Sequence, residues 1–308
     1  MGELRFDGQV AIVTGAGRGV GRVHAMTLAA RGAKVVIMDL GGSLDGTGSS
    51  EGPAAEVAEE IRAAGGEAVA CIESVTDPDG AARTVATAIE QFGKLDVLIN
   101  NAGIADPELF ENQTLEQFRR MCDVQYMGTV TVAKAAWSSL VDSGGRIVNT
   151  CSEGPLGIHG KLTSYGGAKG GVIGFTLCLA AEGAALGVAV NGFSPRASTR
   201  LSSPEVMAKT YDVPAEHFVE SMKAYPPELA SPAAVYLAHA SCPLNGAILV
   251  AGGGQVLRLA FAENEGFRSD ALTVEEVAAN IDQIMDMGTA TFPGLGHADK
   301  TVRDSASH

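Results

Sequence analysis

The feature that most constrains the fold of this 308-residue chain is a series of short apolar runs rich in valine, isoleucine and alanine. They lie at residues 9–15, 33–40, 67–74, 95–103, 145–152, 188–194 and 246–253. Because they lack polar alternation, they suit strands that are buried on both faces of a parallel sheet. Helix-length segments lie between them, at residues 19–31, 53–64, 78–92, 114–141 and 164–186. The alternation predicts an α/β fold: a doubly wound parallel sheet of about seven strands, of the Rossmann type, in a single domain with a C-terminal extension.

Two segments depart from this alternation of strands and helices. Residues 196–231 are long, irregular and punctuated by proline, which is typical of a lid over an active site. The stretch 273–287 opens with a capping-box pattern and spaces apolar residues on one helical face. We therefore expect a main domain at 1–255 and an extension at 256–308, which would hold one amphipathic helix and a loosely ordered tail after about residue 293.

Charge and composition exclude several classes of function. The formal net charge of −14 disfavours nucleic acid and anionic membranes as partners. The apolar stretch 229–257 is interrupted by prolines and glycines, so we expect no membrane insertion. The N-terminus lacks the apolar core of a signal peptide, and the five cysteines form no C-x-x-C pair, which favours a reducing, cytoplasmic location. The histidines show no metal-ligand spacing, so we expect no metal site, and no G-x-S-x-G elbow directly joins a predicted strand to a helix, which leaves a hydrolase unsupported.

A glycine-rich loop follows the first predicted strand and opens the first helix. Its sequence, TGAGRGVGR, fits T-G-x-x-x-G-x-G on Thr14, Gly15, Gly19 and Gly21, whereas Val20 stands where G-x-G-x-x-G requires its last glycine. Glycines there allow the backbone to approach a pyrophosphate, which the helix N-terminus also favours. The loop predicts a dinucleotide site whose candidate residues are Gly15, Gly17, Arg18, Gly19, Val20 and Gly21.

Asp39 ends the second predicted strand and points to the choice of cofactor. A carboxylate at this place accepts hydrogen bonds from the adenosine ribose hydroxyls and repels a 2′-phosphate, so we expect NAD. Arg18 and Arg22 lie close in sequence, and an arginine in this loop is able to pair with that phosphate. NADP therefore stays as the less favoured alternative.

The segment SYGGAKGG places Tyr165 and Lys169 one helical turn apart. A tyrosine that acts as a base near pH 7–8 needs its pKa lowered from about 10. An ammonium group about 4–5 Å away supplies roughly the required 3–4 kcal/mol at an effective dielectric near 20, and we expect Lys169 to lower the pKa of Tyr165 in this way. We also expect the glycines beside them to let this helix lie close to its neighbours or to a second subunit.

Four signals in order carry a family resemblance: the glycine-rich loop, N-N-A-G at 100–103, Ser152, and Y-x-x-x-K at 165–169. With them, residues 5–255 resemble the short-chain dehydrogenases/reductases. DLGG, ESV, AAW, SPRASTR and the C-terminal extension resemble more particularly the dehydrogenase part of peroxisomal-type multifunctional enzymes and their bacterial relatives, which act on (3R)-hydroxyacyl-CoA.

The resemblance implies roles for individual residues. Ser152 would hydrogen-bond the substrate oxygen, Tyr165 would act as general acid or base, and Lys169 would hold the nicotinamide ribose. Gln125 stands where the family usually has an asparagine that holds a water, partly through its backbone carbonyl, and counts as a candidate catalytic residue. The further cofactor-binding candidates are Glu73, Ser74 and Val75 near the adenine, and Asn100, Asn101, Ala102, Gly103 and Pro195.

The function implied is an NAD-dependent oxidoreductase that transfers a hydride between the cofactor and a secondary alcohol or ketone. A (3R)-hydroxyacyl-CoA or a hydroxysteroid is the leading substrate class. The alternatives are an NADPH-dependent 3-ketoacyl reductase and a non-catalytic NAD(H)-binding sensor. A CoA ester requires local cations, for which Arg196, Arg200, Lys209 and Lys223 are the candidates. The resemblance implies a homodimer or homotetramer.

Overall fold

The computed structural model describes residues 2–293 of the chain. Within them, a single sheet contains eight strands: β1 (Val10–Thr14), β2 (Lys34–Met38), β3 (Glu67–Cys71), β4 (Val97–Asn100), β5 (Arg146–Thr150), β6 (Ala189–Pro195), β7 (Ile248–Gly252) and β8 (Gln255–Leu259). Their order is β3-β2-β1-β4-β5-β6-β7-β8, and the paired strands from β3 to β7 are parallel. The predicted doubly wound α/β fold is confirmed.

Eleven α-helices occur in the part of the chain that the structure describes. They are α1 (Gly19–Ala30), α2 (Gly52–Ala63), α3 (Pro78–Phe92), α4 (Leu115–Cys122), α5 (Gly128–Ser143), α6 (Thr163–Ala184), α7 (Pro204–Tyr211), α8 (Glu216–Met222), α9 (Ser231–Ala238), α10 (Val274–Ala279) and α11 (Ile281–Met285). None of these helices is both long and apolar enough to span a bilayer.

The continuous apolar strands are explained by two cores, one on each face of the sheet. On β1, Ala11 and Val13 belong to the core that includes α1, α2 and α9, whereas Val10 and Ile12 belong to the core that includes α3, α5 and α6. Successive side chains of a strand point to opposite faces, so a strand covered on both sides is apolar at every position.

The sheet has one strand more than the seven runs indicated. β8 follows β7 after Gly253 and Gly254, whose φ angles of +58° and +80° make a tight turn. Its sequence, QVLRL, is exposed or half-buried along its length. An edge strand of this kind needs no continuous apolar run, which is why the apolar pattern did not reveal it.

The predicted helix at 114–141 is interrupted. Between α4 and α5, residues Asp123–Met127 form one π-helical segment. A π turn has no clear sequence signature, and such turns are frequent at functional sites. Gln125 lies in this segment and is 1% exposed.

The chain divides into two compact units, one ending at Arg258 and the other beginning at Leu259. In the second unit, the predicted capping box of Thr273 and Glu276 is present, but the helix expected at 273–287 is divided into α10 and α11. The break falls at Asn280, whose side chain donates a hydrogen bond to the Glu276 carbonyl. The tail expected after residue 293 lies outside the described residues.

Candidate active site

The carboxyl ends of the parallel strands open into a cavity of about 670 Å³. All four predicted catalytic residues line it, namely Ser152, Tyr165, Lys169 and Gln125. The predicted cofactor residues in its wall are Gly15, Arg18, Gly19, Val20, Asp39, Glu73, Ser74, Val75, Asn101, Ala102, Gly103, Tyr165, Lys169 and Pro195. A site at this edge is what a doubly wound sheet favours. Gly17, Gly21 and Asn100 do not line the cavity.

The glycine-rich loop is packed too closely for side chains. A Cβ at Gly15, where φ is +62°, would lie 2.6 Å from the Ala102 Cα. A Cβ at Gly21 would overlap the Gly15 carbonyl and the Asn101 amide. The bare backbone at the start of α1 therefore forms a cradle that fits a dinucleotide pyrophosphate.

Asn101 joins the ends of β1 and β4 beneath this cradle. Its side-chain amide donates to the carbonyls of Thr14 and Gly15 at 3.0 and 3.1 Å. In return, the Thr14 hydroxyl accepts from the backbone N–H groups of Asn101 and Ala102. Asn100 points into the fold, where its amide donates to Asn149 at 3.0 Å. The N-N-A-G segment thus fixes the floor of the cavity.

Asp39 holds the loop as well as facing the cavity. Its carboxylate accepts from the N–H groups of Gly17 and Gly41, each at 2.7 Å. Arg18 and Arg200 also line this part of the cavity. The pKa of Arg200 is lowered by burial and by the neighbouring charge of Arg18, and Asp39 opposes this effect. The charges of Asp39, Arg18 and Arg200 therefore interact with one another at this end of the cavity.

Glu73, in the adjacent part of the cavity wall, is held by an ion pair with Arg83. Its carboxylate accepts two hydrogen bonds from Arg83 at 2.7 and 2.8 Å, which lowers the pKa of the Glu73 carboxyl. Ser74 bonds to the Thr76 hydroxyl at 2.8 Å. Val75 packs against Gly128, where a Cβ would lie only 2.6 Å away. This wall leaves backbone groups and the face of Val75 for a ligand.

At the other end of the cavity, Ser152, Tyr165 and Lys169 come together from β5 and α6. The Ser152 Oγ accepts a hydrogen bond from the Gly154 N–H at 3.0 Å. The Lys169 ammonium donates to the Thr150 carbonyl at 2.6 Å and is 3% exposed. A hydroxyl, a phenol and a cation on one surface are suited to proton transfer at a substrate oxygen.

The predicted lowering of the Tyr165 pKa is wrong for the structure. Burial raises the pKa of Tyr165, and the Ser152 hydroxyl opposes this only in part. Burial also lowers the pKa of Lys169 to about 8, so the cation is itself weakened, and its bond to the Thr150 carbonyl occupies one of its protons. Desolvation therefore outweighs the attraction that the i,i+4 spacing suggested.

Gln125 reaches the same end from the π-helical segment. Its side-chain N–H donates to the Ile104 carbonyl at 2.6 Å, while its backbone carbonyl accepts from the Thr129 hydroxyl at 2.9 Å. The Gln125 Oε1 is buried without a hydrogen-bond partner. A Cβ at Gly103 would lie 2.8 Å from that oxygen. The unpartnered acceptor is suited to holding a water.

Two of the glycines around Tyr165 have the expected close neighbours. A Cβ at Gly166 would lie 3.2 Å from the Gly154 carbonyl, and one at Gly171 would lie 3.1 Å from the Tyr126 ring. Gly167 has no neighbour within 4 Å, and Gly170 only a Pro155 atom at 3.9 Å. Close packing within the chain therefore explains Gly166 and Gly171 and leaves the other two unexplained.

Sequence reasoning missed the apolar lining of the cavity. Part of it comes from the segment interpreted as a lid, namely Leu201, Met207, Tyr211, Met222 and Tyr225. These side chains follow no regular spacing because α7 and α8 are short and separated by turns. The signal was limited to the proline-punctuated composition of the segment.

Most of the candidate cations for CoA are already paired. Arg196 bonds to Glu153, Lys209 lies 3.4 Å from Asp106, and Lys223 pairs with Glu220 on the surface. Arg200 lies in the cavity wall near Arg18 and Asp39. Within residues 2–293, no three His, Cys, Asp or Glu side chains are grouped as metal ligands would be.

Comparison with known proteins gives the class that this fold and site define. The family model described as short chain dehydrogenase matches residues 9–203. The chain belongs to the short-chain dehydrogenase/reductase family, whose members are oxidoreductases that bind a nicotinamide cofactor and act on small molecules.

Individual relatives extend this finding. A protein of Mycobacterium tuberculosis named as a short-chain type dehydrogenase/reductase is 38% identical over 93% of this chain and 97% of its own. The mouse peroxisomal multifunctional enzyme type 2 is 36% identical over 94% of this chain, which spans only 38% of that enzyme. A carveol dehydrogenase from Mycobacterium avium in complex with NAD has a TM-score of 0.73 at 26% identity, covering 80% of this chain and 97% of its own. The resemblance to the dehydrogenase part of the multifunctional enzymes is confirmed.

Proposed function

We propose that the protein is an NAD-dependent dehydrogenase that oxidises a secondary alcohol or reduces the corresponding ketone. The observation that carries the proposal is that Ser152, Tyr165 and Lys169 share one cavity with the glycine-rich cradle and Asp39. A non-catalytic sensor has no need of an acid/base group beside its cofactor cradle. The NAD complex of the carveol dehydrogenase relative supports the choice of cofactor.

We assign Lys169 to cofactor binding, Ser152 to substrate binding and Tyr165 to proton transfer. When bound, the nicotinamide ring supplies the hydride acceptor for alcohol oxidation, and its positive charge favours the ionised phenol of Tyr165. The Ser152 hydroxyl donates a hydrogen bond to the substrate oxygen, and Tyr165 takes the hydroxyl proton as the carbonyl forms. Lys169 would hold the cofactor ribose, and its ammonium would add to the positive charge that favours the ionised phenol once the cofactor is bound. In ketone reduction Tyr165 returns the proton to the oxygen.

The cavity supports a bulky apolar substrate. The aromatic and aliphatic side chains of the lid face it, and Ile104 and Ile158 also line it. Hydroxysteroids and (3R)-hydroxyacyl chains both present apolar surface beside a secondary alcohol. The similarity to the mouse multifunctional enzyme supports the acyl class. We propose a cytoplasmic homodimer or homotetramer as the working form.

Production of reduced cofactor tests the proposal across a panel of (3R)- and (3S)-hydroxyacyl-CoAs and hydroxysteroids, with NAD and NADP compared for each substrate. Turnover with NAD on one stereochemical series is the expected result. Turnover with NADP alone would support the ketoacyl reductase alternative. Binding of NADH without turnover of any substrate, unchanged in Tyr165→Phe, would support the sensor.

We expect Asp39→Asn to shift cofactor preference toward NADP. The substitution removes the Asp39 carboxylate and would leave the charges of Arg18 and Arg200 at the end of the cavity proposed for the adenosine ribose. Since juxtaposed like charges cost about 1–3 kcal/mol, the ratio of NADP to NAD affinity should rise roughly ten- to a hundredfold. Fluorescence titration with NADH and NADPH measures the ratio. Asp79→Asn, an exposed substitution at the start of α3, is the control. An unchanged ratio would contradict the role of Asp39.

We expect Lys161→Met to loosen the lid. Lys161 pairs with Asp212, donates to the Lys209 carbonyl at 2.9 Å and so anchors the end of α7, while neither α7 nor α8 has a buried residue. Losing an ion pair worth up to about 1 kcal/mol should speed proteolysis within 204–222 up to about fivefold. Limited proteolysis with mass spectrometry measures this, and Lys223→Met is the control. Equal cleavage rates in both variants would show that the lid is held elsewhere.

A further inference from the structure

A bidentate ion pair lies in the cavity wall beside Ser152. The Arg196 Nε and Nη2 donate to the two carboxylate oxygens of Glu153 at 2.8 and 2.7 Å. Both residues line the cavity, and their side chains are 37% and 23% exposed. Glu153 directly follows Ser152, and Arg196 directly follows Pro195 at the end of β6. The pair therefore joins the ends of β5 and β6 at the substrate side of the cavity.

We propose that Glu153 and Arg196 are positioning residues that hold the Ser152 hydroxyl in its working orientation. The inference rests on the proposed function, since it concerns the same reaction. In this role, neither side chain contacts the reacting atoms.

The contact path runs through a single peptide group. Glu153 precedes the 3₁₀ turn Gly154–Leu156, and the N–H of the peptide between Glu153 and Gly154 donates to the Ser152 Oγ at 3.0 Å. Locking the Glu153 side chain at both oxygens restricts the rotation of that peptide. The Ser152 Oγ is then presented with one of its two acceptor lone pairs occupied and its proton free for the substrate oxygen or Tyr165.

Arg196 is itself anchored to the sheet. Its backbone N–H donates to the Ala251 carbonyl at 2.8 Å, and its own carbonyl lies where a Cβ at Gly252 would be. Its third nitrogen, Nη1, reaches the Gln255 side chain at 3.4 Å. The fork of a guanidinium fixes direction as well as distance, which a lysine ammonium does not. The position of Ser152 is thus set from β6, β7 and β8 as well as from its own strand.

The main test places Glu153→Gln and Arg196→Met in the parent and in Ser152→Ala. In the parent, kcat should fall roughly ten- to a hundredfold with KM for the cofactor unchanged, because a misplaced group of this kind costs up to about 10²-fold. The double variant should be no worse than either single variant, since both act on one contact. In Ser152→Ala neither substitution should cause a further loss of kcat. Arg196→Lys should recover part of the rate.

A second readout needs no turnover. The near-ultraviolet titration of Tyr165, taken as the difference from Tyr165→Phe, reports the hydrogen bond that Ser152 makes to the phenol. Glu153→Gln should move this titration to higher pH, and Ser152→Ala should do the same, because the Ser152 hydrogen bond lowers the pKa of Tyr165. A parent that turns over no substrate would refute the proposed function while this titration still decides the positioning role.

Glu220→Gln breaks an exposed ion pair between Glu220 on α8 and Lys223, and it serves as the control for loss of an ion pair.

Three results would overturn the inference. One is an equal loss of kcat in the Ser152→Ala background, which would indicate a general structural role. Another is a change confined to KM for anionic substrates, which would make Arg196 a substrate anchor. The last is a Tyr165 titration that Glu153→Gln leaves in place.

Discussion

Tyr165→Phe should lower kcat by about 10²–10⁴-fold, the usual contribution of a positioned general acid or base. The substitution removes only the hydroxyl and keeps the ring that packs in the core cluster with Ala168 and Ile104. Burial raises the pKa of the Tyr165 phenol, so the group is protonated near neutral pH and needs positive charge nearby before it ionises and accepts a proton. Because a substitution leaves the equilibrium constant of the reaction unchanged, we expect kcat/KM to fall by a similar factor for oxidation and for reduction.

Steady-state rates in both directions, together with the dissociation constant for NADH, measure the effect. NADH affinity should change less than threefold, about 0.6 kcal/mol, because the cradle at the start of α1 is untouched. Tyr236→Phe, which lies on α9 outside the cavity lining, is the matched control. Retention of the parent rate in Tyr165→Phe would remove Tyr165 from the mechanism.

The parts of the fold that the sequence predicted depend on local patterns. A strand covered on both faces has to be apolar at each position, so β1 to β7 were visible as runs. The glycine-rich loop was visible because Gly15 and Gly21 tolerate no Cβ. β8 and the π-helical segment at Asp123–Met127 left no such pattern, because an edge strand and a single wide turn depend on their neighbours.

The features of the site that the sequence did not predict depend on how deeply residues are buried and on contacts between residues that are far apart in the sequence. The i,i+4 spacing placed Tyr165 and Lys169 on one helical face, but not the depth at which α6 buries them. That depth reverses the expected direction of the Tyr165 pKa. Glu153 and Arg196 are separated by 43 positions in the sequence, and only the adjacency of β5 and β6 brings them together. Their positions directly after Ser152 and Pro195 were the available signal.

Lys169→Met should lower kcat/KM by on the order of 10²–10³-fold, since it removes the cation that supports proton transfer at Tyr165. It should also change how stability depends on pH. Lys134→Met, on the exposed face of α5, removes one lysine charge that keeps its water and is the control. Activity assays and denaturant unfolding at several pH values measure both effects.

The sign follows from the buried ammonium of Lys169. Burial lowers its pKa in the folded protein to about 8, below the ordinary value of 10.5 that we take for the unfolded chain. Between these values the unfolded chain binds more protons, so the free energy of unfolding of the parent rises with pH relative to Lys169→Met. The full difference is about 3 kcal/mol, present above pH 10.5 and absent below pH 8. A parallel pH dependence in parent and variant would mean that Lys169 stays hydrated, and the cation proposed to serve Tyr165 would then not be the desolvated group described here.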